Sequence, residues 1–365
     1  MFKVELLTRD GASIAFEADA TQTLLEAAER ASVYPPSSCR EGGCGVCRVT
    51  KVSGDAELLS CSSAALSEKE RAAGDILLCR SRARSDLQLT ATFDQTAIGS
   101  APEPVRTARI VEIAPQGSTT LRLVLQYSDD PTFGQAAQFV AGQYAELAVP
   151  GAPIKRSYSL ANTPNWDGLL EFLIRIQPGG AFSGYLRETA TAGAELIVHG
   201  PKGQFTLDES ALAPRWFVAG GTGLAPALSM LRQMAEFADP HPCRLFFGVN
   251  RVEELFALDA IEALRAGLPQ LQATVCVWKP EVAWSGFAGT PSEALAKSLK
   301  EEGPRPDLYV CGPPALIAAT NSVAAAAGIA QDRIFSEKFS PAEGPVEKST
   351  EPPGRRHLWP GVIVG

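Results

Sequence analysis

The chain has 365 residues, of which 45% are hydrophobic and 20% are charged, and its formal net charge is −8. At roughly 100–200 residues per domain, this length predicts two or three globular domains, and the acidic balance argues against a nucleic-acid-binding protein. No apolar run approaches the ~18 residues needed to cross a bilayer, and the charged N-terminus MFKVELLTRDG lacks the pattern of a secretory signal. We therefore expect a cytoplasmic protein that does not associate with a membrane.

Residues 1–98 predict a small α+β domain. Apolar and polar residues alternate over 2–8 and 12–18, which indicates a β-hairpin, and the amphipathic segment 22–31 predicts a helix. A cysteine-rich loop and several short strand-like segments follow. The segment 99–105 contains Pro, Gly and Ser in the proportions of a linker and ends this domain.

The cysteine-rich loop has a specific spacing. Cys39, Cys44 and Cys47 follow the pattern C-x4-C-x2-C, and Cys79 comes after a further 31 residues. This is the plant-type spacing for four thiolates that hold a [2Fe–2S] cluster. Glycines between the cysteines let the backbone wrap closely, so that its N–H groups can point at the cluster sulfurs. The pattern predicts an iron–sulfur site.

A zinc site and a disulfide framework are the alternatives for this loop. Structural zinc sites usually contain two C-x2–4-C pairs, whereas this loop contains one clean pair. Stable disulfides are rare in the cytoplasm. Only 13 residues separate Cys61 from Cys47, which is too few for the plant-type spacing, and we interpret Cys61 as a spare thiol.

Residues 106–208 predict a small antiparallel β-barrel. Gly and Pro punctuate a series of short strand-like segments, and one short helix near 182–188 interrupts them. The predicted strands are 107–114, 119–127, 143–149, 155–161, 169–176 and 195–199.

The segment RSYSLAN, residues 156–162, indicates a flavin site in this barrel. Arg156 provides a fixed cation for a diphosphate, and the ring of Tyr158 can lie against an isoalloxazine. Ser159 can reach the reactive nitrogen side of that ring, and Ser157 is a further binding candidate in the same segment. An ordinary barrel edge strand is the alternative interpretation.

A glycine-rich turn in the same domain strengthens the flavin interpretation. Gly179, Gly180 and Ser183 lie at the start of the short helix. Free N–H groups at a helix start, together with a hydroxyl, form an anion site suited to the diphosphate of a flavin. A plain turn with a helix cap is the alternative.

Residues 209–339 predict a parallel α/β sheet. Four apolar strands, RWFVAG, CRLFFGV, ATVCVW and DLYVCG, alternate with helical segments, as is typical of a parallel sheet covered on both faces. The predicted helices are 225–236, 253–266, 291–300 and 314–327. The segment 340–365 is rich in Pro and Gly and is predicted to be disordered.

Two turns of this sheet predict a dinucleotide site. FVAGGTGLAP places the turn Gly221–Gly223 between a strand and a helix, where a loop can hold a diphosphate at the helix N-terminus. It is not the G-x-G-x-x-G fingerprint, because Pro226 stands where the third glycine would be. In YVCGPP, Cys311 and Gly312 lie at the carboxyl end of another strand, where ligands of such sheets bind. Taken alone, Cys311 is a small core residue.

The order of these motifs resembles the ferredoxin–NADP reductase superfamily, in its form with an N-terminal plant-type ferredoxin domain. More narrowly, the chain is similar to the reductase components of soluble methane monooxygenase and related bacterial multicomponent diiron monooxygenases. The stretches that carry this resemblance are SSCREGGC, ILLCR, RSYSLAN, LEFLIRI, APRWFVAGGTGLAP, SMLRQM, FGVN, ELFALD, CVW, LYVCGPP and EKF, which run from residue 37 to residue 339. The resemblance implies three domains: a β-grasp ferredoxin domain, an antiparallel FAD barrel and an α/β NAD domain.

The resemblance also implies an activity. Electrons pass from NADH to FAD, then to the [2Fe–2S] cluster, and then to a separate diiron hydroxylase component; a monomer is expected. Glu253 and Glu254 would repel a 2′-phosphate and Arg251 stands alone among them, which favours NADH over NADPH. The alternative function is the reductase of a Rieske aromatic-ring dioxygenase, which has the same domain order, and a third is a non-catalytic zinc-binding scaffold.

Individual roles follow from the resemblance, position by position. The cluster ligands are Cys39, Cys44, Cys47 and Cys79; the flavin residues are Arg156, Ser157, Tyr158, Ser159, Gly180 and Ser183; the nicotinamide residues are Gly221, Thr222, Gly223, Cys311 and Gly312. Glu337 and Phe339 match a C-terminal acidic and aromatic pair near the flavin, although 26 residues follow Phe339 here. Catalytic roles are assigned to Ser159, Cys311 and Glu337.

Overall fold

The computed structural model describes most of the chain, in three successive sheets. The described residues are 1–37, 40, 42–43, 45–63, 65–99, 104–281, 284–301 and 303–338. Two of the four predicted cluster cysteines, Cys39 and Cys44, lie outside them, as do Phe339 and the segment 340–365.

The first domain is a mixed five-stranded sheet packed on a helix. Its elements are β1 (Phe2–Leu7), β2 (Ser13–Ala18), α1 (Leu24–Arg30), β3 (Arg48–Ser53), β4 (Ala56–Leu58), α2 (Glu68–Ala72), β5 (Asp75–Leu77), β6 (Ser81–Ala83) and β7 (Leu87–Ala91). The sheet order is β2-β1-β7-β3-β5, with β1 and β7 parallel, while β4 and β6 form a separate pair. The apolar face of α1 fills the core of this sheet, which confirms the predicted β-grasp architecture.

Helix α1 begins where the sequence provides a capping box. The Thr23 hydroxyl accepts the N–H of Glu26, and the Glu26 carboxylate accepts the N–H of Thr23. These two bonds satisfy N–H groups that the first turn of a helix leaves without a partner. The helix ends at Arg30, and the chain then enters the cysteine-rich loop.

The second domain is a six-stranded antiparallel barrel. Its elements are β8 (Val105–Gln116), β9 (Thr120–Tyr127), β10 (Tyr144–Ala148), β11 (Lys155–Ser159), β12 (Leu169–Arg175), α3 (Ala181–Glu188) and β13 (Glu195–Lys202). The sheet order is β11-β10-β13-β8-β9-β12, and a bridge between Leu160 and Phe172 joins the two outer strands. That bridge closes the sheet, which removes its exposed edges.

The third domain is a six-stranded parallel sheet between helices. Its elements are β14 (Arg215–Gly220), α4 (Leu224–Glu236), β15 (Cys243–Val249), α5 (Leu258–Gly267), β16 (Leu271–Val277), β17 (Phe287–Ala288), α6 (Pro291–Ser298), β18 (Asp307–Gly312), α7 (Pro314–Ala326) and β19 (Ile334–Lys338). The sheet order is β17-β16-β15-β14-β18-β19. Cys243 and Cys276 lie in its core, as predicted, and burial raises the pKa of each thiol to about 12.

One predicted helix of this domain begins at the wrong residue. The sequence predicts a helix over 253–266, but α5 begins at Leu258. Residues Val252–Glu254 form a single 3₁₀ turn, and Ala257 adopts a left-handed conformation with φ +52° that breaks the helix path. The carbonyl groups of this turn contact the barrel instead, since Ser118 donates its N–H to the Glu253 carbonyl at 2.8 Å.

Helix α4 attaches the barrel to the parallel sheet. Ser229 donates to the Asn162 carbonyl at 2.6 Å, and Arg232 donates to the Ala161 carbonyl at 2.8 Å and to the Glu171 carboxylate at 3.0 Å. These carbonyl groups follow β11 directly, so α4 holds the end of the strand that carries the RSYS segment. Among the described residues, no helix is long and apolar enough to cross a membrane.

Gly142 marks a tight point of this attachment and provides a test. A Cβ at Gly142 would overlap the Phe205 carbonyl oxygen and the Met230 side chain, whereas a Cβ at Gly193 would meet no atom within 4 Å. Both glycines have positive φ, so the backbone strain of an alanine is similar at the two sites. We expect Gly142→Ala to lower the free energy of unfolding by about 2 kcal/mol more than Gly193→Ala, as measured by chemical denaturation. Equal losses would show that Gly142 is not closely packed against Phe205 and Met230.

Candidate functional site

Two of the predicted cluster ligands meet in the first domain. Cys47 directly precedes β3, and Cys79 lies in the 3₁₀ turn that follows β5. Pairing of β3 with β5 brings these strand ends together, and Leu78 donates its N–H to the Cys47 carbonyl at 3.0 Å. The two sulfur atoms are 3.3 Å apart and buried, which is well beyond a disulfide bond length of ~2.05 Å. Their convergence suits two thiolates on one iron.

The loop around these ligands requires glycine. Gly42 has φ +77°, and a Cβ there would lie 2.7 Å from both the Cys61 Cβ and the Arg80 Cγ. Gly45 has φ +79°, and its Cβ would lie 2.9 Å from the Ala65 carbonyl oxygen. A side chain at either position would push Gly42 away from Cys61 and Arg80 or Gly45 away from Ala65, so both positions require glycine.

Cys61 lies beside the loop but has a different environment. It is partly exposed, and its sulfur accepts a hydrogen bond from the Arg71 guanidinium at 3.3 Å. Cys47 and Cys79, in contrast, are paired with each other in the core of the domain. The geometry of the complete ligand set stays a prediction, because Cys39 and Cys44 lie outside the described residues.

The RSYS segment occupies strand β11 of the barrel. Alternation along the strand places Arg156 and Tyr158 on one face and Ser157 and Ser159 on the other. Arg156 is exposed, and the Tyr158 ring lies 5.3 Å from the ring of Phe182, near the start of α3. Burial raises the pKa of Tyr158, which keeps its hydroxyl neutral. The two parts of the predicted flavin site are therefore neighbours.

The turn before α3 has the features of an anion site. Gly180 is the N-cap residue, and a Cβ at Gly179, which has φ +71°, would meet no atom within 4 Å. Ser183 is buried, and its Oγ accepts the N–H of Gln177 at 3.0 Å. Ser183 thereby fixes the turn and also retains an O–H donor of its own.

A hydrogen bond between domains connects the end of β11, the strand of the predicted flavin site (the flavin strand), to the parallel sheet. The Ser159 hydroxyl donates to the Glu337 carboxylate at 3.0 Å, across 178 positions of sequence. Glu337 lies on β19, opposite Cys311 on β18. Burial raises the pKa of Glu337 to about 7, against the opposing effect of the Ser159 hydrogen bond. Glu337 is therefore poised to change protonation state near neutral pH.

The two glycine-containing turns of the parallel sheet pack against each other. Strands β14 and β18 are parallel neighbours with Ala219 opposite Cys311, so both turns lie at one sheet edge. A Cβ at Gly223 would overlap the Cys311 carbonyl oxygen, whereas a Cβ at Gly221, at φ +54°, would meet no atom within 4 Å. Gly223 is needed for packing, whereas Gly221 faces open space at the start of α4, so the predicted diphosphate site is not blocked by neighbouring atoms.

Cys311 is buried at this edge, only 2% exposed. Burial, and then the charge of Glu337, raise the pKa of its thiol well above the ordinary value. A neutral, buried thiol is a poor nucleophile, and the catalytic role assigned to Cys311 stays a prediction. The next residue, Gly312, has φ +149° and packs against Leu316.

The sequence analysis missed two residues that enclose the Ser159–Glu337 contact. Tyr144 lies opposite Ser159 in the β10–β11 ladder and is buried. A Cβ at Gly203 would lie 2.9 Å from the Tyr144 ring and 3.8 Å from Glu337 Oε1. The run HGPKGQF, which contains Gly203, is the only sequence signal for this part of the site that we identify.

Comparison with protein families gives three matches, in the order of the three sheets. They are a 2Fe-2S iron-sulfur cluster binding domain over residues 7–84, an oxidoreductase FAD-binding domain over 119–207 and an oxidoreductase NAD-binding domain over 217–322. The glycine-supported cysteine pair, the β11–α3 surface and the Gly221–Gly223 turn lie within these respective ranges. Together they define the class of protein: an oxidoreductase with an iron–sulfur, an FAD-binding and an NAD-binding domain.

Similar proteins narrow this class. The chain is 33% identical over 338 residues to the propane 2-monooxygenase reductase component of Rhodococcus jostii, covering 90% of each chain. It is 38% identical over 267 residues to methane monooxygenase component C of Methylosinus trichosporium, covering 72% of this chain and 77% of that one. It is also 34% identical over 337 residues to the anthranilate 1,2-dioxygenase electron transfer component of Acinetobacter baylyi, covering 92% and 96%.

A solved structure supports the same assignment. The Amycolatopsis cytochrome P450 reductase GcoB superposes with a TM-score of 0.76 at 30% identity, covering 93% of this chain and 99% of that one. The chain belongs to the family of oxygenase reductase components. The predicted fold class, family and cofactor domains are thereby confirmed.

The cysteine geometry predicts which thiols hold the cluster. We expect Cys79→Ser to abolish the visible and EPR signals of the cluster, because one of two converging sulfurs is removed, while reduction of the flavin by NADH continues. Cys61→Ser is the matched control and should keep the cluster signals. Loss of the signals in Cys61→Ser, with retention in Cys79→Ser, would show that the fourth ligand is misassigned.

Proposed function

We propose that this protein takes electrons from NADH and delivers them to the diiron hydroxylase component of a soluble methane- or alkane-type monooxygenase. The observation that carries the proposal is the Ser159–Glu337 hydrogen bond, which joins the flavin strand to the sheet edge that holds the Gly221–Gly223 turn. When bound, FAD would supply the exchange between two-electron and one-electron transfer, and the cluster would supply single-electron delivery. All three domains lie in one chain, so we propose that the protein works as a monomer.

The described residues fit a bound flavin. The exposed guanidinium of Arg156 and the N-terminus of α3 at Gly180 provide positive charge and free N–H groups for the FAD diphosphate. The Tyr158 ring, held by Phe182, provides an apolar surface for the isoalloxazine. Ser157 and Ser159, on the other face of β11, complete the proposed set, with Ser159 oriented by its bond to Glu337.

The described residues also fit a nicotinamide cofactor. Gly221 and Thr222 would hold its diphosphate at the N-terminus of α4, because the turn leaves open space there. Gly223 keeps that turn against Cys311, and Gly312 lets the chain turn away without a side chain. Cys311 would border the nicotinamide ring as a neutral thiol, with Glu337 opposite it on the next strand.

Glu337 controls the hydrogen bonding of Ser159 in this proposal. When Glu337 is a carboxylate, it accepts a hydrogen bond from the Ser159 hydroxyl, so this hydroxyl cannot donate to the flavin. When Glu337 is a neutral acid, it can donate a hydrogen bond to the Ser159 oxygen. The Ser159 O–H is then free to donate to the flavin ring. Phe339 lies outside the described residues, and its role near the flavin stays part of the same proposal.

This arrangement predicts a pH dependence. We expect the rate of flavin reduction by NADH, measured by stopped flow, to fall as the pH rises through about 7, where Glu337 loses its proton. Glu337→Gln removes the titration and should give a flat profile from about pH 6 to about pH 8. A wild-type profile without a transition in this range, or an unchanged transition in Glu337→Gln, would contradict the role of Glu337.

The loop after β15 favours NADH over NADPH. Arg251 is a cation of the loop where a 2′-phosphate would lie, but Glu253 lies 3.7 Å and Glu281 3.9 Å from its guanidinium. Two carboxylates beside one guanidinium compensate its charge. A 2′-phosphate would be repelled there, whereas a ribose hydroxyl could donate to a carboxylate.

The proposed partner follows from the names of the relatives. The propane and methane monooxygenase components support a diiron hydroxylase, and the methane component has the higher identity of the two, 38%. The anthranilate dioxygenase component, at 34%, supports the second candidate, the reductase of a Rieske dioxygenase. Because the identities to the monooxygenase components and to the dioxygenase component are similar, a functional test is needed to choose between the two partners.

Reconstitution with both classes of oxygenase tests the proposal. The holoprotein is mixed with a diiron alkane hydroxylase or with a Rieske dioxygenase, and NADH consumption is followed together with product formation. We expect coupled turnover with the diiron enzyme and a lower KM for NADH than for NADPH. Coupled turnover with the Rieske enzyme alone would favour the second candidate, and a lower KM for NADPH would overturn the coenzyme assignment.

A further inference from the structure

Trp278 is an exposed aromatic residue at the ligand-binding edge of the parallel sheet. It directly follows β16, and 51% of its surface is exposed. Its position is fixed by the backbone, since Trp278 donates its N–H to the Val249 carbonyl at 3.1 Å and Lys279 donates to the Asn250 carbonyl at 2.9 Å. The backbone of Trp278 is therefore anchored beside the end of β15, and its half-exposed side chain is not needed to fill a core.

The strand order places this ring at a definite distance from the diphosphate turn. Strands β16, β15 and β14 are consecutive in the sheet, and the turn Gly221–Gly223 follows β14. Two strand spacings separate the ends of β14 and β16, which is roughly 10 Å. In open parallel sheets, ligands bind along this carboxyl edge. A molecule with its diphosphate on the turn would extend across β15 toward Trp278.

The loop between these points carries acceptors that suit a sugar. The Glu254 carboxylate accepts the N–H of Asn250 at 3.1 Å, which fixes it at the end of β15. Glu253 lies on the same turn, close to Arg251. Carboxylates at this position bind ribose hydroxyl groups in dinucleotide sites. The edge thus presents a diphosphate turn, a pair of carboxylates and an aromatic ring in succession.

One face of the Trp278 ring contacts a lysine side chain. The Lys279 ammonium lies 4.3 Å from the centroid of the Trp278 ring, a cation–π geometry. About half of the Trp278 surface remains exposed, which leaves apolar ring surface on which a flat group can stack. An adenine base is flat and uncharged, and it stacks on aromatic side chains.

We propose that Trp278 is the stacking platform for the adenine of NADH. The inference rests on the proposed use of NADH at this sheet edge and adds the residue that would bind the adenosine end. Trp278 is a binding residue only, because the reacting end of the cofactor lies near Cys311 at the other end of the edge. Its loss should weaken binding without slowing the chemical step.

Two substrates separate this role from a structural one. The holoprotein and its Trp278→Ala and Trp278→Phe variants are assayed with ferricyanide as acceptor, using either NADH or reduced nicotinamide mononucleotide, which lacks adenosine. In Trp278→Ala we expect the KM for NADH to rise about tenfold with kcat unchanged, while the KM for the mononucleotide stays the same. Trp278→Phe should recover most of the loss, and the Ki of AMP as a competitor should follow the KM for NADH.

Trp166→Ala is the matched control. Trp166 is 85% exposed in the loop between β11 and β12 of the barrel, so its removal should change neither KM. If Trp278→Ala changed the KM for NADH and the KM for the mononucleotide equally, or changed neither, the proposed stacking role of Trp278 would be wrong. If the use of NADH itself were wrong, the wild-type protein would fail to oxidise NADH, which is a different outcome from an unaffected Trp278→Ala.

Discussion

The hydrogen bond from Ser159 to Glu337 joins the barrel to the parallel sheet, and the proposed site depends on it. Ser159 ends a barrel strand, whereas Glu337 lies on the last described strand of the parallel sheet. Neither residue could reach the other unless α4 held the barrel against the sheet, as Ser229 and Arg232 do through the carbonyls that follow Ser159. The position of the flavin strand relative to the nicotinamide edge is therefore a property of the interface, and not of either domain alone.

Most of the fold could be predicted from the sequence, because its elements are locally determined. Continuous apolar runs predict β14, β15 and β18 to the residue. The amphipathic pattern over 22–31 predicts α1, which begins two residues later, at Leu24. Strands β17 and β19 were not predicted, since two residues give no periodicity and IFSEK is only partly buried at the sheet edge. Helix α5 was predicted too early, because contacts with the barrel override the helical pattern at 253–257.

The site was predictable only in its parts. Motif spacing identifies Cys47 and Cys79, the RSYS strand and the Gly221–Gly223 turn, because each motif needs particular residues at fixed separations. The partner of Ser159, the burial that raises the pKa of Glu337 and the place of Gly203 arise from contacts between distant segments. No local pattern encodes such contacts. Similarly, Trp278 became a binding candidate only when the strand order placed its ring beside the dinucleotide turns.

Helix α4 has a consequence for the geometry of electron transfer. Its first residue, Leu224, follows the diphosphate turn, and its sixth and ninth residues, Ser229 and Arg232, bind the end of the flavin strand. The rise of ~1.5 Å per residue therefore sets the distance along α4 between the turn and the residues that bind the barrel. Adding one residue between the turn and Ser229 would rotate the barrel-binding face by about 100° and destroy the alignment. The number of residues in this segment of α4 therefore determines the distance between the two proposed cofactor sites.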